Sequence, residues 1–180
     1  VTYTMAYDSL GRLTGAQDPA GGSSTLTRTD LTSGHQVQIS TALGRTTTYL
    51  TETLATGVKH YRNTFQDGTV AESNTGTDGI STVTFPDGTT TITTPGPDPR
   101  FGMQAPLAKE SSVTTGGLTL HTTNSRTVAL TDPDDLLSLS SLTDTTTINS
   151  QAFTTAYDAT TRTFTSTSPM GRQLSYTTNT

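Results

Sequence analysis

Tyr7-Asp8-Ser9-Leu10-Gly11-Arg12-Leu13-Thr14 reads as strand, turn, strand. Tyr3, Met5 and Tyr7 fall on every second position, the period that puts side chains on one face of an extended chain. Asp8, Ser9 and Gly11 then punctuate it. An Asp oxygen can accept backbone N–H groups a few residues on, and Gly takes positive φ without a steric penalty. Leu13 begins a return strand, and Asp18-Pro19 with Gly21-Gly22 turns the chain again. Weakened copies of this unit recur to the last residue. The fold they predict is all-β, a twisted ribbon of consecutive antiparallel hairpins.

The copies can be aligned by their punctuation. Asp30-Leu31-Thr32-Ser33-Gly34 repeats the Asp-to-Gly turn 22 residues after Asp8, and Val37 and Ile39 alternate after it. Thr41-Ala42-Leu43-Gly44-Arg45 leads to Tyr49 as Ser168-Pro169-Met170-Gly171-Arg172 leads to Tyr176. Thr64-Phe65-Gln66-Asp67-Gly68-Thr69 returns almost unchanged as Thr84-Phe85-Pro86-Asp87-Gly88-Thr89, 20 residues on. Asp-Gly between alternating apolar residues is a strong short-range hairpin signal. Tyr157-Asp158 restates the opening pair. A period near 20 residues holds two short strands and two turns, and such a unit needs neighbours to cover its apolar face.

Composition agrees with this pattern. Threonine makes up about a quarter of the 180 residues, and apolar residues only 29%. Thr is stiff at χ1 and suits a pleated, half-solvated surface better than a helix. One buried apolar face and one Thr/Ser face are expected. The apolar face would carry Tyr7, Leu13, Val37, Ile39, Phe65, Val83, Phe85, Phe153, Tyr157, Phe164 and Tyr176. A net charge of −5 without a basic cluster argues against nucleic acid or an anionic membrane as partner. No apolar run is long enough for a membrane-spanning helix. There is no cysteine for disulfides or thiolate metal ligands. Val1 reads as mid-strand, as in an excerpt of a longer polypeptide.

Two segments interrupt the pattern. Pro95-Gly96-Pro97-Asp98-Pro99 removes ladder donors and predicts an irregular loop over 95–106, between hairpin repeats at 1–94 and 107–180. Asp132-Pro133-Asp134-Asp135 carries helix-start signals, and Leu136, Leu139 and Leu142 lie three apart, leaving one or two helical turns open. Asn149-Ser150-Gln151 is a turn.

The chemistry-bearing residues read as structural. Tyr7/Asp8 and Tyr157/Asp158 recur, as packing and turn devices do and catalytic pairs do not. Arg12, Arg45 and Arg172 follow glycines, and their stems and guanidinium groups suit strand bridging. His35, His60 and His121 lack metal-ligand spacing, and no carboxylate stands at i±3 or i±4 to them on a helix. Asp132, Asp134 and Asp135 lack the calcium-loop pattern. Glu52, Glu72 and Glu110 each stand alone on a polar stretch, so a glycosidase-like pair has no support. Neither a nucleophile elbow nor a phosphate-cradling loop is present. No cofactor or metal is expected.

Tyr7-Asp8-Ser9-Leu10-Gly11-Arg12-Leu13-Thr14 resembles the repeat of the YD-repeat, or Rhs-repeat, proteins. Tyr157-Asp158-Ala159-Thr160-Thr161-Arg162 is similar but has Thr161 where the pattern has Gly, and Gly44-Arg45 and Gly171-Arg172 keep the Gly-Arg half. The resemblance covers 1–50 and 152–180. It implies a long β ribbon spiralling into a hollow shell, which in toxin members encloses a C-terminal effector. The self-cleaving region that ends such shells has no counterpart here. The function this implies is non-catalytic: a stretch of encapsulating wall or surface array, secreted or at the cell surface. Its partners would be adjacent repeats of the same polypeptide and an enclosed effector domain. An extracellular adhesin or carbohydrate-binding β module is the alternative, and a polysaccharide-acting enzyme a third reading that lacks a carboxylate ladder.

Overall fold

The structure is a computed structural model that describes residues 2–179, so the expected mid-strand position of Val1 lies outside the described residues. Among those residues there are fifteen strands and no helix. Contacts gather the chain into two units, Val1–Thr89 and Thr90–Thr180. The first contains β1 (Thr4–Tyr7), β2 (Leu13–Gln17), β3 (Ser23–Asp30), β4 (Gly34–Thr41), β5 (Thr46–Thr53), β6 (Lys59–Thr64), β7 (Val70–Thr75) and β8 (Ser81–Thr84). The second contains β9 (Thr90–Asp98), β10 (Gly102–Thr115), β11 (Leu118–Leu130), β12 (Leu139–Ile148), β13 (Gln151–Asp158), β14 (Thr163–Thr167) and β15 (Gln173–Thr177). Within each unit every strand pairs antiparallel with the next in chain order. The expected succession of hairpins is the observed fold.

One turn design closes most of these hairpins. Asp8 N–H donates to the Arg12 carbonyl at 2.9 Å, and Gly11 N–H to the Asp8 carbonyl at 3.0 Å. The same pair of bonds recurs at Asp18–Gly22, Thr41–Arg45, Leu54–Val58, Phe65–Thr69, Gly76–Ile80, Phe85–Thr89 and Ser168–Arg172. The fourth residue is always glycine, and at Gly11 φ is +76°. This is the three-residue hairpin loop in which a tight turn is followed by one left-handed residue. Phe65 and Phe85 therefore open turns instead of sitting within strands. The Asn149-Ser150 turn is a two-residue loop with φ of 44° and 72°, the mirror-type turn whose twist matches the strands.

Two expectations are corrected, and one alternative left open by the sequence is decided. The segment 95–106 is not a free loop: Pro95–Asp98 ends β9, and Gly102–Pro106 begins β10. The pairing of these prolines is irregular: the register jumps between Gly102 and Leu107, leaving out Pro97 and Pro106, and again between Ala108 and Glu110. The acidic stretch after Thr131 forms two tight turns, not a helix. Asp132 Oδ1 accepts Asp134 N–H and Asp135 Oδ1 accepts Leu137 N–H. Ser138 Oγ meets the Asp132 and Asp135 carbonyls at 2.8 and 2.7 Å, competing for the groups a helix would use. Third, the expected buried apolar face is absent: among the described residues no hydrophobic side chain is buried, and Asp98 is the one buried polar group.

The faces are nonetheless unlike. In the second unit Val128, Leu142, Tyr157, Phe164 and Tyr176 are successive cross-strand partners, one apolar row over β11 to β15. Tyr157 and Phe164 rings lie 4.5 Å apart, and Phe164 stacks on Tyr176 at 5.1 Å. Phe153 shares this face by alternation. The opposite face carries Thr127, Thr143, Ala156, Thr165 and Ser175 as the corresponding row. In the first unit Val37 and Tyr49 are partners, as are Leu26 and Ile39, and Val83 opposes Ser73 beside Tyr61. Leu13 opposes Tyr7 across a bulge that interrupts the alternation there. Cross-strand contacts of this kind, worth roughly 0.2–1 kcal/mol each, hold a single sheet layer together.

Candidate functional site

The predicted motif residues prove to be parts of the turns. Asp8 Oδ1 accepts Leu10 N–H and Arg12 N–H, both at 2.9 Å, and Asp8 Oδ2 pairs with Arg12 Nε at 2.7 Å. The Arg12 N–H, then its guanidinium, hold the Asp8 carboxyl below its ordinary value of 3.8, aided by Leu10 N–H. Asp67 and Asp87 likewise accept Thr69 and Thr89 N–H, with Gly68 and Gly88 at the left-handed position. Where the chain has Thr41 or Ser168 in place of Asp, the hydroxyl accepts Arg45 or Arg172 N–H, next to Gly44 and Gly171. Asp158 accepts Thr160 and Thr161 N–H, and with Thr161 at the glycine position the positive φ moves to Arg162, at 53°. Tyr7 and Tyr176 are exposed at 61% and 53%, and Tyr157 and Tyr49 lie in the apolar rows.

Charges concentrate at two places that the motif reading missed. In the second unit Asp98, at the end of β9, is 3% exposed. Its Oδ1 accepts Arg100 N–H at 2.8 Å and Phe101 N–H at 3.2 Å, and its Oδ2 accepts Arg126 Nη1 at 3.0 Å. Arg126 also grips its cross-strand partner Asp144 with Nε and Nη2, at 2.6 and 2.8 Å. Burial is the largest influence on Asp98 and pushes its carboxyl up, but the Arg100 and Phe101 N–H groups and Arg126 outweigh it, so it lies below 3.8. Asp144 and then Asp98 hold Arg126 firmly in its charged form. Arg100 stacks on Phe101, 4.9 Å from the ring centre. Two depressions flank Arg126, of about 180 and 280 Å³. Both are smaller than the roughly 300–1,000 Å³ of small-molecule pockets.

In the first unit His60 on β6 lies between Glu52 on β5 and Glu72 on β7. Nδ1 is 2.8 Å from Glu52 Oε1, and Nε2 is 3.1 Å from Glu72 Oε1. Ser33 Oγ donates to Glu52 Oε2 at 2.7 Å. His60, then Ser33, keeps the Glu52 carboxyl below its ordinary 4.5. In the second unit His121 Nε2 is 2.9 Å from Glu110 Oε1. The three glutamates expected to stand alone are therefore all paired with histidine. The signal was in the hairpin register: with Thr53 opposite Lys59, position 52 must face 60. A helical i±4 search cannot find a pair set by a sheet.

These clusters tie strands together and present little to a substrate. Among the described residues no three His, Cys, Asp or Glu side chains converge as a metal site. The two ring nitrogens of His60 point in opposite directions, each already on an oxygen. An open depression of about 510 Å³ near Tyr3, Met5 and Leu43 has one acid in its lining, Asp18. Asp18 is already bonded to Ala20 and Gly22 N–H. No helix among the described residues is long and apolar enough to cross a membrane. No family model matches the chain, and no curated protein matches it.

Proposed function

We propose that this chain is a non-catalytic, structural repeat segment, part of an encapsulating shell or extended surface array of the YD-repeat kind. The observation that carries the reading is the five-residue turn repeated eight times, among them at the Tyr7-Asp8 motif. A device used at that many places builds a surface and does not mark a site. The lack of a buried apolar side chain among the described residues points the same way. Within each unit, a sheet without a buried apolar side chain among the described residues is suited to being one stretch of a larger assembly, where further repeats of the same polypeptide supply added contacts. The likeness to secreted and surface repeat proteins makes an extracellular location part of the proposal, and an enclosed effector domain its natural cargo.

The adhesin or carbohydrate-binding alternative is less well supported. Sugars stack on free aromatic faces, whereas the Tyr157, Phe164 and Tyr176 rings lie against one another. Electron microscopy of the native polypeptide from its source decides between architectures. A hollow particle with internal density is the expected result. A solid rod or filament removes encapsulation from the reading, and a glycan-dependent rise in melting temperature favours the binding module.

A further inference from the structure

We infer that Glu52, His60 and Glu72 form a pH-gated clamp across β5, β6 and β7, closed while His60 carries hydrogen on both ring nitrogens and released when it loses one. Donors and acceptors decide which state of the ring closes the clamp. An ionised carboxylate only accepts, and a neutral imidazole has one N–H and one lone pair. With Nδ1 2.8 Å from Glu52 and Nε2 3.1 Å from Glu72, both contacts are hydrogen bonds only for the imidazolium. The neutral ring would set a nitrogen lone pair against a carboxylate oxygen. His60 is 14% and Glu52 17% exposed, whereas Glu72 is 41% exposed, so water screens the Glu52 contact less than the Glu72 one.

The surroundings leave the gate to these three groups. On the same face, β4 offers Gly34 and Gln36, β5 adds Leu50, and β8 offers Thr82 and Thr84, none of which titrates. β7 adds Asn74, whose Nδ2 lies 3.4 Å from Glu72 Oε1. β6 adds Arg62, the direct cross-strand partner of Glu72. Arg62 keeps its charge throughout and offers Glu72 another partner once His60 lets go. Lys59 and Tyr61 fall on the opposite face. His121 is the internal contrast: with Glu110 alone, one N–H satisfies its contact at either charge.

The sign is fixed by which state holds the proton. The closed clamp binds a proton that the open one releases, so its stabilisation is present on the acid side and lost as pH rises. It is bounded below as well, because Glu52 must stay ionised and its support is lost as pH falls below the ordinary 4.5.

Thermal melts of the intact chain and of His60→Gln and Glu72→Gln, between about pH 5 and 8, test this. Ring-nitrogen NMR of His60 follows its charge in parallel. The wild-type melting temperature should fall by about 2–4 °C more than that of either variant over this range. The His60 ring should change from two N–H groups to one over the same interval. A Gln at 72 can donate or accept, so it satisfies both forms of the ring and abolishes the difference even if His60→Gln does not fold. Parallel profiles for wild type and Glu72→Gln, or a single neutral His60 tautomer throughout, overturn the clamp.

Discussion

Asp98 and Arg126 lie 28 residues apart in the chain and 3.0 Å apart in space. The register jump in β10 lets the last residue of β9 reach a side chain on β11, and the same guanidinium continues to Asp144 on β12. Three strands are thus tied through one arginine. Arg126→Ala leaves Asp98 buried without its counter-charge and should cost roughly 3 kcal/mol, more than Asp144→Ala, which removes a partly exposed acid. Urea unfolding of the three proteins checks the order.

Glycine substitutions separate backbone strain from crowding. At Gly11 a Cβ would meet nothing, so Gly11→Ala should cost only the left-handed conformation, about 1–2 kcal/mol. At Gly34 a Cβ would run into the Thr51 carbonyl oxygen and Glu52 on the neighbouring strand. Gly34→Ala should therefore destabilise more than Gly11→Ala, and paired melting curves measure the difference.

Acid should unfold the chain from its turns. The Asp8, Asp67, Asp87 and Asp98 carboxyls all lie below their ordinary 3.8 because the folded chain supplies N–H, hydroxyl or guanidinium donors. A carboxyl with a depressed value stabilises the fold above its ordinary value, and that support disappears as pH falls below it. Far-UV circular dichroism should show stability declining below about pH 4, and Asp8→Asn should flatten part of that decline.

Phe164 is the middle ring of the apolar row, touching Tyr157 on one side and Tyr176 on the other. Phe164→Ala removes two ring contacts at once. It should cost about 1–2 kcal/mol, less than a fully buried phenylalanine because the row is open to solvent. Tyr176→Ala removes one contact and should cost less, as read from the denaturation midpoints.

Much of the fold was legible before the structure. Asp8, Gly11, Gly44, Gly68, Gly88 and Gly171 act locally, and a turn needs only its own few residues to declare itself. Tyr157, Phe164 and Tyr176, on β13, β14 and β15, share one face as their sequence reading expects. The misreadings also have local causes. Pro95 to Pro99 look like a loop when the ladder's ability to skip a donor is left out. Asp132 and Pro133 begin a helix or a turn equally well until Ser138 closes the segment on itself. Glu52, His60 and Glu72 stand apart in the sequence, and nothing in their spacing resembles a site.

By itself, then, the order of residues determined where most of the hairpin turns fall and that the chain runs as strands between them. Those follow from local sterics and short-range hydrogen bonds. Tertiary structure alone decided that Asp98 meets Arg126, that His60 bridges two glutamates, and that no apolar side chain is buried in the described residues. Such contacts depend on register, and on whether a second layer covers the first. A bulge or an added strand changes them while leaving every local signal in place.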